Sequence, residues 1–310
     1  MKNRRITALA LSLVMILMMA SGCVKENKES AAAVVNGDEI SIAEFEKNLE
    51  IYKNMYESQY GDIAWDEEIE EGVTYLSSLK ENVIENMIMD TIMLQEAAKN
   101  GVEVTDEELQ SLFEEYKAYY GDEETYNESL ASSGMDEAFL LEYLKNGEII
   151  DRYVSNFVDT IEINDEILES YFDENKDKFV AVNASHILVN SLEEAQDILA
   201  KLYDGADFGE MAMEYSQDPG SAGNGGELGY FYKGQMVAEF EEVAFSVEPG
   251  ELSGIVSTTY GFHILKVNDR KESLEDNYDI VFADYQNAKY TEKLEELKSN
   301  ADIERFIKTN

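Results

Sequence analysis

Residues 179–269 constrain the fold more than any other part of the chain. They contain both histidines and both prolines of the sequence, together with a glycine-rich run at 220–226. Each histidine lies in a short apolar run near one end of this segment, and bounded runs of this kind predict buried strands. The flanking residues are acidic and follow helical patterns. Strands at both ends of the segment are therefore expected, inside a chain that is otherwise mostly helical.

Turn and cap signals predict an alternation of strands and helices within this segment. The predicted elements are a strand at 182–189, helices at about 191–203 and 207–215, a strand at 229–232, a helix at 236–245 and a strand at 262–267. Side chains alternate along a strand, so His186 shares a face with Leu188, and His263 shares one with Leu265. Both histidines are expected to face the interior.

The motifs of this segment resemble the parvulin family of peptidyl-prolyl isomerases. They are Ala-Ser-His-Ile-Leu-Val at 184–189, Ser-Gln-Asp-Pro-Gly at 216–220, Gly-Gly-Glu-Leu-Gly at 225–229, Gly-Gln-Met-Val-Ala-Glu-Phe at 234–240 and Tyr-Gly-Phe-His-Ile-Leu-Lys-Val at 260–267. The match runs in one order through 91 of the 310 residues. It implies a four-stranded antiparallel sheet with surrounding helices, over residues 178–270.

The resemblance assigns catalytic positions to three residues. It places His186 and His263 beneath the substrate, bonded to each other, and it places Asp218 where the family keeps a cysteine or an aspartate beside the amide. A lone inward histidine is usually a core residue, but two in matching motifs favour the paired site. Two nitrogens alone cannot hold zinc. No metal or other cofactor is expected, because the reaction only rotates an amide.

The resemblance also implies a pocket for the proline ring. Its predicted walls are Leu228, Met236, Phe240, Tyr260 and Phe262. Met236 and Phe240 are four residues apart on a predicted helix, where such residues are neighbours. Core packing is the alternative interpretation of this pair. The family often has serine or threonine where this chain has Tyr260, so a hydroxyl contact at that position is an open question.

Charge excludes several kinds of ligand. The glycine-rich run lacks the Gly-Lys-Ser/Thr ending of a phosphate loop, and 15 acidic residues accompany only three lysines in 179–269. Phosphopeptide-specific parvulins carry a basic loop after the first strand, whereas only Asn190 links strand and helix here. The expected substrate is an ordinary X-Pro bond with neutral or basic X. The formal charge of −42 also argues against nucleic acid and anionic membrane surfaces.

The first 32 residues are predicted to target the chain for export rather than to join the fold. A basic start and an apolar run make residues 1–22 a signal peptide. Ala-Ser-Gly precedes Cys23, the only cysteine, in the manner of a lipoprotein cleavage site, so Cys23 is the predicted acylation site and 23–32 a tether. Ordinary signal cleavage at the same small residues is the alternative. The expected location is the outer face of a bacterial cytoplasmic membrane.

The flanks are predicted to form one helical, chaperone-like domain, from residues 33–177 and a C-terminal helix within 271–310. Capping boxes begin at Ser41 and Thr105. The acidic run at 66–71 predicts a helix start, with a calcium site as the weaker alternative. Val-Asn-Gly-Asp-Glu-Ile-Ser at 35–41 and Gly-Val-Glu-Val-Thr-Asp-Glu-Glu at 101–108 resemble PrsA-like and SurA-like extracytoplasmic foldases. In that family the C-terminal helix packs back onto the N-terminal domain.

The predicted fold class is therefore α+β, a parvulin domain inserted into an all-α domain. The predicted function is that of a peptidyl-prolyl isomerase and foldase that acts on unfolded or partly folded exported proteins. The alternative is a holdase chaperone that keeps the parvulin fold without needing its activity. Eleven of the 19 tyrosines lie in 33–177 and could line a groove for such proteins, although packing between helices explains them equally well. A homodimer is left open.

Overall fold

The computed structural model describes residues 30–308, which form two compact units. The terminal unit comprises the residues up to 161 and those from 290 onwards, and the central unit comprises 162–289. The units divide at 161/162 and 289/290, whereas the sequence boundaries were placed at 177/178 and 270/271. The predicted signal peptide, Cys23 and most of the predicted tether lie outside the described residues.

The described chain combines a run of helices with antiparallel sheets, which confirms the α+β class. The helices are α1 Ile42–Tyr60, α2 Tyr75–Lys99, α3 Asp106–Tyr119, α4 Glu123–Ser133, α5 Glu137–Thr160, α6 Asp165–Glu174, α7 Lys176–Phe179, α8 Leu192–Tyr203, α9 Phe208–Tyr215, α10 Ala238–Ser246 and α11 Leu274–Asn300. The strands are β1 Ala31–Val35, β2 Asp38–Ser41, β3 Glu68–Glu70, β4 Val73–Thr74, β5 Ala181–Val189, β6 Glu227–Tyr232, β7 Leu252–Thr258, β8 Gly261–Lys271 and β9 Ile303–Arg305. In these residues no helix is long and apolar enough to cross a membrane.

The terminal unit packs its helices around α2, which buries ten of its residues. A three-stranded antiparallel sheet in the order β2-β1-β9 joins the two ends of the described chain. Asn36 and Gly37 have positive φ angles of 51° and 92° and form the two-residue turn between β1 and β2. The prediction of an all-α domain was too narrow, because this unit also contains strands. Strand β1 begins at Ala31, inside the predicted tether.

The predicted helix starts in the terminal unit agree with the structure at two places and fail at a third. Ser41 and Thr105 form complete capping boxes with Glu44 and Glu108. The acidic run at 66–71, however, does not begin a helix. It leads into the β3–β4 hairpin, which turns at Gly72 with φ 76°, and α2 starts only after a capping box between Thr74 and Ser77. A row of acidic residues favours a helix start but supplies no cap.

The central unit is built on an antiparallel sheet in the order β6-β5-β8-β7. One face is covered by α8 and α9, whose apolar residues pack against Ile187, Val189 and Ile264. The opposite face is covered by α10, which packs against Val182 and Leu265 among others. Both faces of β5 and β8 are therefore buried, as the apolar runs around the two histidines predict.

Two details of the central unit differ from the sequence predictions. The sequence Ser-Leu-Glu-Glu at 191–194 is typical of a capping box, but only half of it forms, the hydrogen bond from the Glu194 backbone N–H to Ser191 Oγ. Helix α10 begins at Ala238, so Met236 lies in the turn before it rather than on the helix. The argument from helical spacing for Met236 and Phe240 is therefore wrong. Both side chains nevertheless pack in the same apolar cluster.

Candidate active site

His186 and His263 lie on the two central strands of the sheet and face the α10 side. His186 pairs with Leu265 across the ladder and His263 pairs with Leu188, so the histidines are diagonal neighbours. Their Nδ1 atoms are 3.2 Å apart and their rings are inclined by 22°. The two residues are 6% and 4% exposed. The predicted inward, mutually bonded histidine pair is thus present.

The loop after α9 brings a carboxylate to this pair. Asp218 Oδ2 lies 2.8 Å from His186 Nε2, and Ser221 donates to the same oxygen at 2.5 Å. Ser221 is 2% exposed, and its Oγ is also 3.0 Å from His186 Nε2. The loop approaches the strand closely at Gly226, where an added Cβ would lie 2.3 Å from the His186 carbonyl oxygen. Only glycine, with φ 81° here, permits this approach.

Asp218 is the charged member of the network. Hydrogen bonding from Ser221 lowers the pKa of Asp218 to about 2, with further contributions from His186 and the Gly220 N–H against the opposing effect of burial. The carboxylate is therefore ionised at neutral pH and can only accept hydrogen bonds. His186 Nε2 must then carry the proton in its contact with Asp218.

The other end of the network lies at Thr258. Burial, together with the nearby His186, lowers the pKa of His263 to about 4, so this imidazole is neutral at pH 7. Thr258 Oγ1 lies 2.8 Å from His263 Nε2 and also accepts the Tyr260 backbone N–H at 3.1 Å. One assignment of donors and acceptors is compatible with every contact: Thr258 donates to His263, His263 to His186, and His186 to Asp218. All four ring nitrogens are then engaged, which leaves none free to bind a metal.

Phe240 forms an apolar wall against the pair. Its ring is 3% exposed and lies 5.7 Å from the His186 ring and 5.4 Å from the His263 ring, edge to face with both. Leu228 and Met236 are half-buried and pack in the same cluster. These three predicted pocket residues therefore pack in one cluster with the histidines at its edge, and Leu228 and Met236 remain partly exposed.

The other two predicted pocket residues are placed differently. Phe262 packs with the cluster on the opposite face of the sheet, together with Ile187 and Ile264, rather than with Phe240. The Tyr260 side chain is 69% exposed, and the hydrogen bond of this residue to Thr258 comes from its backbone. A role for either side chain in the pocket remains a prediction that this geometry does not favour.

Ser221 and Thr258 were missed by the sequence reasoning. Ser221 follows Asp218 by three residues across Pro-Gly, a turn sequence that can bring two side chains together, and this signal was available. Thr258 offered no such signal, since Thr259 follows it directly and only the strand register distinguishes them. Together the five polar residues and the apolar wall make a site with a fixed carboxylate and no exposed nucleophile.

Comparison with known proteins agrees with this geometry. Residues 170–271 match the family model of the PPIC-type PPIase domain, and residues 2–153 match that of the SurA-like N-terminal domain. The foldase protein PrsA of Caldanaerobacter subterraneus subsp. tengcongensis is 34% identical over 98% of this chain and 97% of its own length. The PrsA of Halalkalibacterium halodurans is 34% identical over 89% of this chain and 76% of its own.

Among solved structures, that of the peptidylprolyl isomerase PrsA from Bacillus cereus has 28% identity and a TM-score of 0.42, covering 89% of this chain and 93% of that one. The 34% sequence identity to the Caldanaerobacter protein extends over nearly the whole length of both chains, which is sufficient to assign the family. The chain belongs to the PrsA foldase family and contains a PPIC-type PPIase domain.

Proposed function

We propose that this protein is an extracytoplasmic peptidyl-prolyl cis–trans isomerase that assists the folding of exported proteins. The observation that carries the proposal is the bonded pair of His186 and His263 beneath Phe240, with the ionised Asp218 at its edge. This arrangement lies inside the segment that matches the PPIC-type PPIase domain. The holdase alternative is not favoured, since the similar proteins are PrsA foldases and the segment matches the PPIC-type PPIase domain.

The chemistry required of the site is the rotation of an amide. Resonance between the nitrogen lone pair and the carbonyl creates a barrier of roughly 18–20 kcal/mol. A proline amide has a cis–trans gap of only about 0.5–1 kcal/mol, so little work is needed beyond lowering the barrier. The planar amide is the more polar form and water stabilises it. An apolar wall that displaces this water favours the twisted amide of the transition state.

Asp218 supports the same effect through its charge. In the planar amide the carbonyl oxygen carries partial negative charge. A carboxylate held near that oxygen opposes this charge and therefore raises the energy of the planar form relative to the twisted form. Ser221 and His186 hold the carboxylate in place and keep it ionised. The histidines act as its support rather than as acid and base.

The proposal is tested with the mature chain and X-Pro peptides in an isomerisation assay, backed by a proline-limited refolding assay. Catalysis above the uncatalysed rate is expected for several residues X. A folded protein that leaves every rate at background would refute the enzymatic function. The fragment of residues 179–269 should retain this activity if the whole site lies within it.

The residue before the proline should be neutral or basic. The 15 acidic residues and three lysines of 179–269 make an acidic surrounding for the substrate. Strand β5 ends at Val189, and Asn190 alone separates it from Ser191, the N-cap of α8. This short link leaves no room for the basic loop that a phosphorylated substrate would require.

The N-terminal region provides a membrane anchor in this proposal. Residues 1–22 act as the signal peptide, and Cys23 carries a lipid that holds the mature chain at the outer face of the cytoplasmic membrane. The sequence Ala-Ser-Gly-Cys at 20–23 and the absence of any second cysteine support this assignment. Mass spectrometry of the membrane fraction tests it, and an unmodified Cys23 in the mature chain would refute it.

The proposed domain organisation places a tether at 23–32, a chaperone-like N-terminal domain at 33–177, the isomerase domain at 178–270 and a C-terminal segment at 271–310. The pairing of β9 with β1 supports the assignment of the C-terminal segment to the N-terminal domain. Unfolded exported proteins are the proposed partners of both domains. Whether two copies form a homodimer is to be tested by sedimentation of the mature chain.

A further inference from the structure

A cavity lined by several aromatic side chains lies within the terminal unit. It has a volume of about 590 Å³ and is formed between the end of α1, the loop that follows it and the start of α2. Four aromatic side chains and two carboxylates line it, namely Tyr56, Tyr60, Trp65, Tyr75, Asp62 and Glu67. None of these residues was assigned a role by the isomerase site.

The aromatic rings of this cavity, here termed the aromatic pocket, are unusually open to solvent. Tyr60 is 67% exposed, Tyr75 is 45% exposed and Tyr56 is 42% exposed. Tyr56 stacks on Tyr60 with centroids 6.1 Å apart and meets Trp65 edge to face at 6.4 Å. Several large apolar faces exposed side by side are costly in water, and rings in such a group mark a binding surface.

The loop that carries the aromatic pocket is held in place by hydrogen bonds. Trp65 Nε1 donates to Glu57 Oε1 at 2.6 Å. The Leu76 N–H donates to the Trp65 carbonyl at 2.8 Å, and the Tyr75 N–H to the Glu67 carbonyl at 3.1 Å. These bonds fix the loop to the first turn of α2, so the rings are arranged before any ligand arrives. Binding to a pre-arranged site loses less conformational entropy.

The charged residues that line the aromatic pocket are both acidic. Seven acidic residues and no lysine or arginine lie between residues 54 and 79. Aromatic faces attract cations, and the attraction is largest where carboxylates add to it. The structure already contains one such contact, since Lys53 Nζ lies 5.4 Å from the centre of the Trp65 ring, although Lys53 does not itself line the cavity.

We propose that the aromatic pocket binds an arginine side chain of an extended, unfolded polypeptide segment. A guanidinium group is planar, stacks on tyrosine and tryptophan faces and bonds to carboxylates such as Asp62 and Glu67. The volume accommodates one long side chain and part of its backbone. This binding does not depend on proline, so it stands or falls independently of the isomerase activity.

The experiment uses Trp65, the only tryptophan of the chain, as a reporter inside the pocket. The mature protein is titrated with a proline-free peptide of serine, leucine and arginine, and with matched peptides in which glutamine or glutamate replaces arginine. The arginine peptide should change Trp65 fluorescence saturably and bind at least about threefold tighter than the glutamine peptide. The advantage should shrink between 0.1 M and 1 M salt.

Matched variants locate the binding. Tyr60→Ser and Tyr75→Ser should each weaken binding by about three- to tenfold. Tyr203→Ser is the control, because Tyr203 is 68% exposed but lies in the central unit. Glu67→Gln should weaken binding more than Glu169→Gln, which removes the same charge from an exposed position outside the pocket.

Three results would overturn the proposal. The first is a Trp65 signal that does not respond to the arginine peptide. The second is equal affinity for the arginine and glutamine peptides, which would indicate an apolar docking surface. The third is a Trp65 signal that changes with protein concentration alone, which would indicate that a second copy of the chain occupies the pocket.

Discussion

Two carboxyl groups, the buried Asp90 of the terminal unit and the half-buried Asp218 of the central unit, are treated in opposite ways by their surroundings. Asp90 on α2 is 6% exposed, and its Oδ2 has no hydrogen-bond partner. Burial alone raises the pKa of Asp90 well above its usual range. Asp218 in the central unit receives hydrogen bonds from Ser221, His186 and Gly220, and its pKa falls to about 2. Donors, and not depth alone, decide which carboxyl stays charged.

The contrast distinguishes an acid in the helical core from the acid of the proposed active site. The helical core around Asp90 offers tyrosine neighbours such as Tyr143, whose pKa is raised by burial and then by the Asp90 charge. Such a setting favours a neutral carboxyl. The network around Asp218 gives its charge three hydrogen-bond partners, Ser221, His186 and the Gly220 N–H. We expect a charge to be maintained inside a protein only where it is used, and four predictions examine that expectation.

The largest effect should come from the wall. Burying a phenylalanine is worth about 1.5–3 kcal/mol, and each 1.36 kcal/mol is a factor of ten in rate, so Phe240→Ala should lower kcat/KM about 10- to 100-fold. Met236→Ala should follow. Both losses should exceed that of Asp218→Ala, because water exclusion is the larger contribution. Peptide isomerisation assays measure all three.

Phe139→Ala in the terminal unit is the matched control for Phe240→Ala, since the two rings are 6% and 3% exposed. Both changes should lower the free energy of unfolding by about 3–5 kcal/mol. Only Phe240→Ala should lower kcat/KM of the folded fraction. An Asp218→Ala loss clearly larger than either pocket change would reverse the ranking of wall and charge.

The second prediction concerns stability and pH, with opposite signs for the two acids. The raised pKa of Asp90 favours the folded state below the unfolded pKa of about 3.9, and this contribution is lost as pH rises toward the folded pKa. Asp90→Asn should therefore increase the free energy of unfolding at pH 7 by about 1–3 kcal/mol.

The lowered pKa of Asp218 contributes stability above about pH 3.9 that is lost as pH falls toward 2. Asp218→Asn should therefore decrease the free energy of unfolding at pH 7, by roughly 1–2 kcal/mol once its partial exposure is allowed for. Urea unfolding at pH 7 and pH 3 should show both differences shrinking with acid. If Asp90→Asn and Asp218→Asn changed the free energy of unfolding at pH 7 in the same direction, the comparison of the two acids would be contradicted.

The third prediction concerns His263 and the Thr258 hydroxyl. Because the pKa of His263 is about 4, below the unfolded value of about 6.5, stability should rise with pH between these values and activity should fall only near pH 4. Thr258→Val removes the hydroxyl that donates to the neutral His263 ring. The fall in activity on the acid side of the pH–activity profile should therefore move to higher pH, and kcat/KM should decrease a few-fold. Thr259→Val is the control, since Thr259 is exposed. If the acid side of the pH–activity profile is unchanged in Thr258→Val, Thr258 does not act on His263.

The smallest effect should come from long-range charge. The proposed cleavage before Cys23 would remove three basic residues and change the formal charge from −42 to −45. A Lys-Pro peptide should then have a catalytic efficiency a few-fold above that of a Glu-Pro peptide at low salt. The difference should fade as the Debye length shrinks from about 10 Å at 0.1 M to about 3 Å at 1 M. A preference that survives at 1 M would have to come from direct contacts.

Local sequence rules predicted much of the fold because they describe contacts within a few residues. The caps at Ser41 and Thr105 and the inward histidines were visible in this way. The hairpin at 68–74 was missed because the same acidic residues suit a helix start. The deciding signals, Gly72 and the Thr74–Ser77 capping box, come after that run.

The site was predicted in part, and its errors have distinct causes. Alternation along β8 places His263 with Leu265, so the same rule should have sent Phe262 to the opposite face; the pocket assignment took precedence over it. Thr258 could not be found, because its contact with His263 depends on the register between β7 and β8. Register is a tertiary property that a single strand does not encode.

The position of β9 determines the order in which an exported chain can finish folding. Strand β1 lies between β2 and β9, and its outer neighbour consists of Ile303–Arg305. A chain that crosses the membrane from its N-terminus presents β1 early, with one edge unpaired, while β9 is still inside the cell. All four strands of the catalytic sheet lie within 181–271 and emerge before it. The central unit can therefore complete its sheet during translocation. The terminal unit begins to emerge first but can complete its sheet only after β9 has crossed the membrane.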